Sequence, residues 1–140
     1  MRLSIRNRLA GTVVSVTAGE VMSAVKVRLT GGQEVTAAIT LEAVQELGLV
    51  ADTPVVVLVK STEVAVASGP VNAISIRNQL PGTVAEVDHG AVMTTVKIAI
   101  EGGETLTAAI TKDGAEELGI AAGDSVTALV KSTEVSVALP

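Results

Sequence analysis

The sequence predicts an all-β protein with short helices, built as two tandem five-stranded β-barrels. Three observations lead to this prediction: the first half of the chain is repeated in the second, each half contains five short β-prone segments, and glycine-rich turns separate several of them. The Ser-Ile-Arg-Asn segment at 4–7 returns at 75–78, and later motifs keep the same offset of 71 positions.

A repeat of this length indicates a duplicated domain, because solenoid units usually have periods of about 20–50 residues. We therefore predict two domains of one fold, at residues 1–68 and 72–140, separated by a Ser-Gly-Pro segment at 68–70. Polar residues that recur in both copies are the natural candidates for a functional site.

The first three strands of one copy follow from local patterns. Residues 12–16 are rich in β-branched side chains and follow Gly11. Residues 21–29 alternate between apolar and polar side chains, as expected for a half-buried strand. Two glycines at 31–32 fit a tight hairpin turn, after which residues 35–39 form the third strand.

A short helix and two further strands complete the copy. Thr40 is a suitable N-cap, Val44 and Leu47 are spaced for one apolar face, and a glycine follows where the helix should end. The apolar run at 55–59 predicts a buried strand, and a fifth strand is expected around 64–66. Five strands with a helix inserted late are typical of an OB-like Greek-key barrel.

Composition narrows the possible function classes. The chain has 140 residues, a formal net charge of -5, no cysteine, no aromatic residue and one histidine. A negative net charge opposes general nucleic-acid binding, and without aromatic side chains no base can be stacked. A site for a bare metal cation is disfavoured. The apolar runs are too short for a membrane span and no secretory signal is present, which predicts a soluble, cytoplasmic protein.

Three polar clusters recur and supply hydrogen-bond donors. Ser4 and Arg6 project from the same face of an extended segment, where a hydroxyl and a guanidinium can donate to one oxyanion. Lys60 and Ser61 follow a buried strand, and Thr40 begins the helix, whose free N–H groups attract anions. Each cluster alone is better explained as a solvated strand, a polar turn or a helix cap. Together they offer donors without a nucleophile or base, which favours binding over catalysis.

Two further expectations concern the surface. Glu63 recurs in both copies near Lys60 or its equivalent, and an exposed ion pair is expected there. Each copy also carries more apolar residues than so small a barrel can hide. Outward positions such as Val13 and Met22 are therefore expected to form apolar patches that oligomerisation buries.

These motifs resemble those of the molybdenum-pterin-binding (Mop) domain, a TOBE-like family, and the tandem arrangement resembles a molbindin. The resemblance covers residues 3–67 and 74–138. It is carried by the Ser-x-Arg-Asn opening, the Gly-Thr-Val strand, the Ala-x-Ile-Thr strand end, the Leu-Gly helix end and the Lys-Ser turn.

The resemblance implies a cytoplasmic protein that binds molybdate or tungstate as an oxyanion and serves molybdenum storage and homeostasis. It implies a homotrimer with sites at interfaces between domains, and neither it nor the composition points to an enzyme or to a nucleic-acid or membrane partner. The oxyanion donors carried over by motif are Ser4, Arg6, Asn7, Val21, Thr40, Lys60 and Ser61, with Ser75, Arg77, Asn78, Val92, Thr111, Lys131 and Ser132 in the second copy. Val21 and Val92 would act through their backbone N–H groups.

The main alternative is an anion-responsive regulatory or protein-interaction module that acts on a partner protein. Molybdate-responsive regulators of this kind can carry a serine in the first turn of the helix, where this chain has Ala43 and Gly114. The chain also lacks a helix–turn–helix segment and an ATP-binding motif, which favours free-standing domains. Because segments 4–6 and 60–61 lie at opposite ends of each copy, we expect them to meet between different chains.

Overall fold

A computed structural model describes all 140 residues, Met1–Pro140. The first half contains β1 (Asn7–Ala18), β2 (Met22–Leu29), β3 (Glu34–Thr40), α1 (Leu41–Leu47), β4 (Pro54–Val59) and β5 (Ala65–Ser68). The second half contains β6 (Asn78–His89), β7 (Met93–Ile100), β8 (Thr105–Thr111), α2 (Lys112–Leu118), β9 (Ser125–Val130) and β10 (Ser136–Ala138). The predicted class, two OB-like five-stranded units with short helices, is confirmed. Neither helix has the length and apolar character needed to cross a membrane.

The fifth strand of each half joins the sheet of the other half. The strand orders are β10-β4-β1-β2-β3 and β5-β9-β6-β7-β8. In the antiparallel pairs, Ala65 of β5 lies opposite Leu129, and Ser136 of β10 lies opposite Leu58. A short 3-10 turn, Ser61–Glu63, packs against β8 and carries the chain across. The limits 1–68 and 72–140 therefore stay a prediction about the sequence repeat, while each sheet contains strands from both repeats.

One continuous core spans the two halves. Val25, Val27 and Leu29 are buried, as the alternation of β2 predicts. They belong to a single cluster of 25 buried residues drawn from both repeats. Val13 also belongs to this core and is 1% exposed, so its predicted outward position is wrong. The reason is its register, since Val13 lies opposite Val27 just before a bulge in β1. Met22 is 45% exposed, as expected.

The helix signals are confirmed in both halves. The Oγ1 of Thr40 accepts a hydrogen bond from the Ala43 N–H at 3.1 Å, and the Oγ1 of Thr111 accepts one from the Gly114 N–H at 3.0 Å. Gly48 ends α1 in the left-handed conformation, with φ of 65°. These caps fix where each helix begins, directly after the third strand of its half.

The tips of the β2–β3 and β7–β8 hairpins touch each other. A Cβ atom at Gly31 would collide with the carbonyl oxygen of Glu101, and one at Gly102 would lie 2.5 Å from the Cα of Gly31. The Nε2 of Gln33 also donates to the Glu101 carbonyl at 2.8 Å. The first glycine of each pair is therefore required for close approach of the two halves, in addition to the hairpin turn.

Gly31→Ala is expected to lower the free energy of unfolding by about 1–3 kcal/mol, because the added methyl group overlaps backbone atoms of the opposite hairpin. Urea denaturation measures this loss. Gly114→Ala is the control and should raise the free energy of unfolding. Gly114 lies in α2, where glycine costs a helix up to about 1 kcal/mol relative to alanine, and Ala43 occupies the equivalent place in α1. Unchanged stability of Gly31→Ala would show that the hairpin tips can separate without cost.

Burial raises the pKa of the Glu104 carboxyl above its ordinary value. The folded state therefore holds this proton more tightly than the unfolded state does, and stability falls as the pH rises through the raised pKa. Glu104→Gln should raise the free energy of unfolding by under about 0.5 kcal/mol at pH 7. This gain should vanish by about pH 3, below the ordinary pKa of glutamate, where the carboxyl is protonated in both the folded and the unfolded state. Thermal denaturation at both pH values measures the difference, and an equal gain at both would contradict this account.

Candidate functional site

The pairing of β1 with β4 brings the first two polar clusters together. Asn7 lies opposite Val59 in this antiparallel pair, so the segment that precedes β1 runs beside the segment that follows β4. Residues 4–6 and 60–62 consequently line one surface cavity of about 250 Å³. The expectation that these clusters meet between two chains is corrected here, because the register joins them within a single chain.

The donors at this cavity include an enclosed hydroxyl without a partner. The Oγ of Ser61 is shielded from solvent and makes no hydrogen bond within the protein, and the same holds for the Oγ of Ser132 in the second half. Leaving an enclosed polar atom unpaired costs free energy, so such atoms are usually matched by a ligand or water. The hydroxyls of Ser23 and Thr94, also at equivalent positions, are unpartnered as well, so it is the place of Ser61 in a cavity with Arg6 and Lys60 that distinguishes it.

The cationic side chains of the two sites have no acidic partner. The protein has ten Lys and Arg residues against fifteen Asp and Glu residues, yet the ion pairs are confined to Lys97–Glu86 at 4.0 Å and Lys112–Glu116 at 3.9 Å. The expected pairing of Lys60 with Glu63 is therefore wrong. Glu63 lies instead along a cavity between the halves. The guanidinium and ammonium groups of the sites remain available to an external anion.

Arg6 is held by its own segment. Its Nε donates to the Ser4 carbonyl at 3.1 Å and its Nη2 to the Leu3 carbonyl at 2.8 Å. Its Nη1 has no acceptor within the protein. The guanidinium is therefore oriented by local bonds while it keeps N–H groups for a ligand.

Asn7 and Asn78 link the two halves. Each is almost fully buried, at 1% and 2% exposure. The Asn7 amide donates to the Thr107 carbonyl and accepts from the Thr107 N–H, both at 2.8 Å. The Asn78 amide makes the same pair of bonds with Thr36, also at 2.8 Å. These side chains imitate a strand partner for β3 and β8, and their predicted role as anion donors stays a prediction.

Thr40 and Val21 form a separate locus in the first half. They line a cavity of about 500 Å³ that also includes Glu20 and Glu42, and that shares no residue with the cavity at Lys60. The Thr40 hydroxyl is engaged as a helix cap. The Val21 N–H has no acceptor in the chain, and the same is true of the Val92 N–H. Within one chain, the cavity at Thr40 and Val21 is therefore separate from the cavity at Lys60.

The second half repeats the strand register but surrounds its donors differently. Asn78 lies opposite Val130, so segment 75–77 runs beside segment 131–133 and brings Ser75 and Arg77 towards Lys131 and Ser132. Lys131 lines a cavity of about 430 Å³ together with Thr111, which the strand exchange completes with residues 62–65 of the first half. Thr111 and Lys131 thus share a cavity, unlike their first-half equivalents.

The sequence pattern did not identify Arg8, which lies near the donors. Thr62, which belongs to the repeated Lys-Ser-Thr cluster, lines the first cavity beside Lys60 and Ser61. Arg8 donates to three backbone carbonyls of segment 1–5. Since the second copy has Gln79 at this position, conservation between the repeats could not point to Arg8.

Each half of the chain matches a known domain family. The TOBE domain family model matches it twice, at residues 3–66 and 74–137. The chain is 40% identical over 141 residues to the molybdenum-pterin-binding protein MopB of Rhodobacter capsulatus, covering 100% of this chain and 52% of MopB. It is 35% identical over 140 residues to the molybdenum transport protein ModE of Herbaspirillum seropedicae, covering 99% of this chain and 52% of ModE. The chain spans about half the length of these curated relatives.

Among solved structures, the chain matches the cytoplasmic molybdate-binding protein ModG in a form with molybdate bound. The TM-score is 0.97 at 36% sequence identity, and the match covers 100% of both chains. Because the match covers both chains completely, the likeness extends to the arrangement of the two halves.

Proposed function

The chain belongs to the TOBE domain family, and from that premise we propose that it binds molybdate or tungstate reversibly. The observation that carries the proposal is the enclosed, unpartnered Oγ of Ser61 in a cavity that Arg6 and Lys60 also line. All three groups donate hydrogen bonds, and two carry positive charge. The full-length likeness to ModG supports an oxyanion as the ligand.

A tetrahedral dianion loses most of its water shell when it binds, so the site must replace that shell with several aligned donors. Charged donors form shorter and stronger hydrogen bonds than neutral donors do, which favours Arg6 and Lys60 as the main contributors to binding. Sulfate is smaller and more strongly hydrated than molybdate. We expect the same donors to discriminate against sulfate through its higher dehydration cost and its poorer fit to the cavity.

Calorimetric titration with molybdate, tungstate, sulfate and phosphate tests the proposal. Saturable heat is expected with molybdate and tungstate, and much weaker binding with sulfate and phosphate. Thermal denaturation provides an independent readout, because a ligand that binds only the folded state raises the midpoint. The proposal would be overturned if molybdate produced no heat of binding and no shift of the thermal midpoint.

The protein is further proposed to act as a homotrimer. Val21 and Val92 are 72% and 74% exposed, and the neighbouring Met22 and Met93 are also exposed, which leaves equivalent apolar patches on the two halves. A neighbouring chain would cover these patches and could bring the free Val21 N–H towards donors of another chain. Light scattering is expected to give three chain masses, whereas a stable monomer would contradict this assembly.

In the cell, the proposed role is storage and buffering of molybdate in the cytoplasm, without catalysis. The donors include no nucleophile–base pair, and the proteins it resembles are named for binding or transport. Anion recovered by dialysis should be unchanged molybdate. Its conversion to another species during incubation with the protein would contradict a purely binding role.

A second candidate function is an anion-responsive regulatory or protein-interaction module. The observation that favours it is that the matched region makes up 52% of both MopB and ModE, so in each relative it is joined to a further segment on which such a module would act. Pull-down with and without molybdate distinguishes the two functions. A stoichiometric protein partner together with no intrinsic oxyanion affinity would support the module, and molybdate binding without a partner would support storage.

A further inference from the structure

The two halves of the chain differ at the residue that follows their shared Ser-Ile-Arg-Asn motif. The first half has Arg8 and the second has Gln79. Both are half-buried at the start of the strand that leads away from the donor segment. The serine, arginine and lysine donors proposed for each site are the same residue types in the two halves, so a difference between the sites must come from the residues around them.

Arg8 fastens the first donor segment through all three of its guanidinium nitrogens. Nε donates to the Ile5 carbonyl at 3.2 Å, Nη1 to the Met1 carbonyl at 2.9 Å and Nη2 to the Leu3 carbonyl at 2.8 Å. The fork of a guanidinium is well suited to such multiple bonds. Arg8 thereby orders the backbone on which Ser4 is carried.

The second donor segment is held less firmly. Gln79 donates a single bond, from Nε2 to the Ile76 carbonyl at 3.1 Å. Arg77 donates one bond to the Ile74 carbonyl at 3.3 Å, whereas Arg6 makes two such local bonds in the first half. Five side-chain bonds therefore order the first segment and two order the second.

This difference should affect anion binding in two ways. A segment that is already ordered loses less conformational entropy when the ligand binds. Arg8 also contributes a positive charge that Gln79 lacks, and no carboxylate lies within 4.0 Å to neutralise it. Ile5, which Arg8 contacts, lines the first cavity, so this charge lies close to the anion donors.

We propose that the two oxyanion sites of one chain are unequal and that Arg8 makes the site of Ser4, Arg6, Lys60 and Ser61 the tighter one. Arg8 does not line the cavity and acts as a positioning residue. The inference rests on the proposed function, since it concerns the affinity of the same sites for molybdate.

Two double variants isolate the sites. Arg77→Ala with Lys131→Ala leaves the first-half site, and Arg6→Ala with Lys60→Ala leaves the second-half site. Calorimetric titration with molybdate is expected to give about a tenfold lower Kd for the first-half site. Both variants lose the same two cationic residue types from equivalent places, so each is the matched control of the other.

Exchange of the differing residue then tests its role. Arg8→Gln, added to the variant that keeps the first-half site, should raise its Kd about tenfold. Gln79→Arg, added to the variant that keeps the second-half site, should lower its Kd. A general loss of stability cannot produce that second result. Arg8→Gln is expected to fold, because the second half already accommodates glutamine at the equivalent position.

Equal Kd values for the two isolated sites would overturn the inference while leaving molybdate binding intact. A Kd of the first-half site that does not change in Arg8→Gln would also overturn it. Failure of the unaltered protein to bind molybdate at all would instead overturn the proposed function, so the two failures can be told apart.

Discussion

Replacement of both Arg6 and Arg77 with alanine is expected to weaken molybdate binding about 10- to 100-fold at each site. A hydrogen bond to a charged group contributes about 1.5–3 kcal/mol, and each of the two substitutions also removes one positive charge from its site. Both side chains are exposed and bond only to carbonyls of their own segment, so folding should change little. Calorimetry measures the Kd, and the thermal midpoint without ligand measures folding.

Lys97→Ala is the matched control for this prediction. Lys97 carries the same charge, but it lies on β7 with its Nζ 4.0 Å from a carboxylate oxygen of Glu86. It lines neither the cavity at Lys60 nor the one at Lys131. Its loss removes one positive charge without removing a proposed donor, so the Kd should stay the same. If Arg6→Ala and Arg77→Ala together leave the Kd unchanged as well, the assigned sites are wrong.

Asn7→Ala and Asn78→Ala are each expected to lower the free energy of unfolding by about 2–4 kcal/mol. Each substitution removes two 2.8 Å hydrogen bonds and leaves an N–H and a carbonyl group of the opposite half without a partner. An unpaired buried polar group costs about 1–3 kcal/mol, which gives the expected range for two such groups. Urea denaturation measures the loss.

Gln79→Ala serves as the control for the asparagine variants, because it removes one local bond to Ile76 and none between the halves. A loss of at most about 1 kcal/mol is expected. The asparagine variants also separate two roles for Asn7. A folded Asn7→Ala protein with unchanged molybdate affinity would leave Asn7 as a link between the halves, whereas a weakened affinity would support the donor role implied by the family resemblance.

The secondary structure of this protein could be predicted from the sequence because its signals are local. Alternation marks β2, Thr40 and Gly48 mark the ends of α1, and paired glycines mark the hairpins. Each of these signals acts between residues only a few positions apart. The recurrence of polar clusters in both copies likewise identified Arg6 and Lys60 as candidates without any knowledge of the fold.

The assembly of the site depended on the register of β1 with β4, which no local pattern specifies. This register placed the two donor clusters in one chain, although their separation in the sequence suggested two chains. The partner of Asn7 lies 100 positions away, and the contact that requires Gly31 is made with the opposite hairpin. The outward position predicted for Val13 was wrong for the same reason, because the direction of its side chain depends on the register with the opposite strand.

The sequence alone determined the repeat, its strands and its caps, while the tertiary structure decided which half each fifth strand completes. β5 and β10 share a Val-Ala pair, and their partners β4 and β9 are identical at three of six positions and otherwise keep small or β-branched residues except at the first. Exchanged and unexchanged pairings therefore satisfy similar local preferences. The difference lies in the path of the chain through the turn Ser61–Glu63, which packs on β8 of the other half. A duplicated sequence describes both arrangements equally well, and only the packing of the two halves against each other selects one.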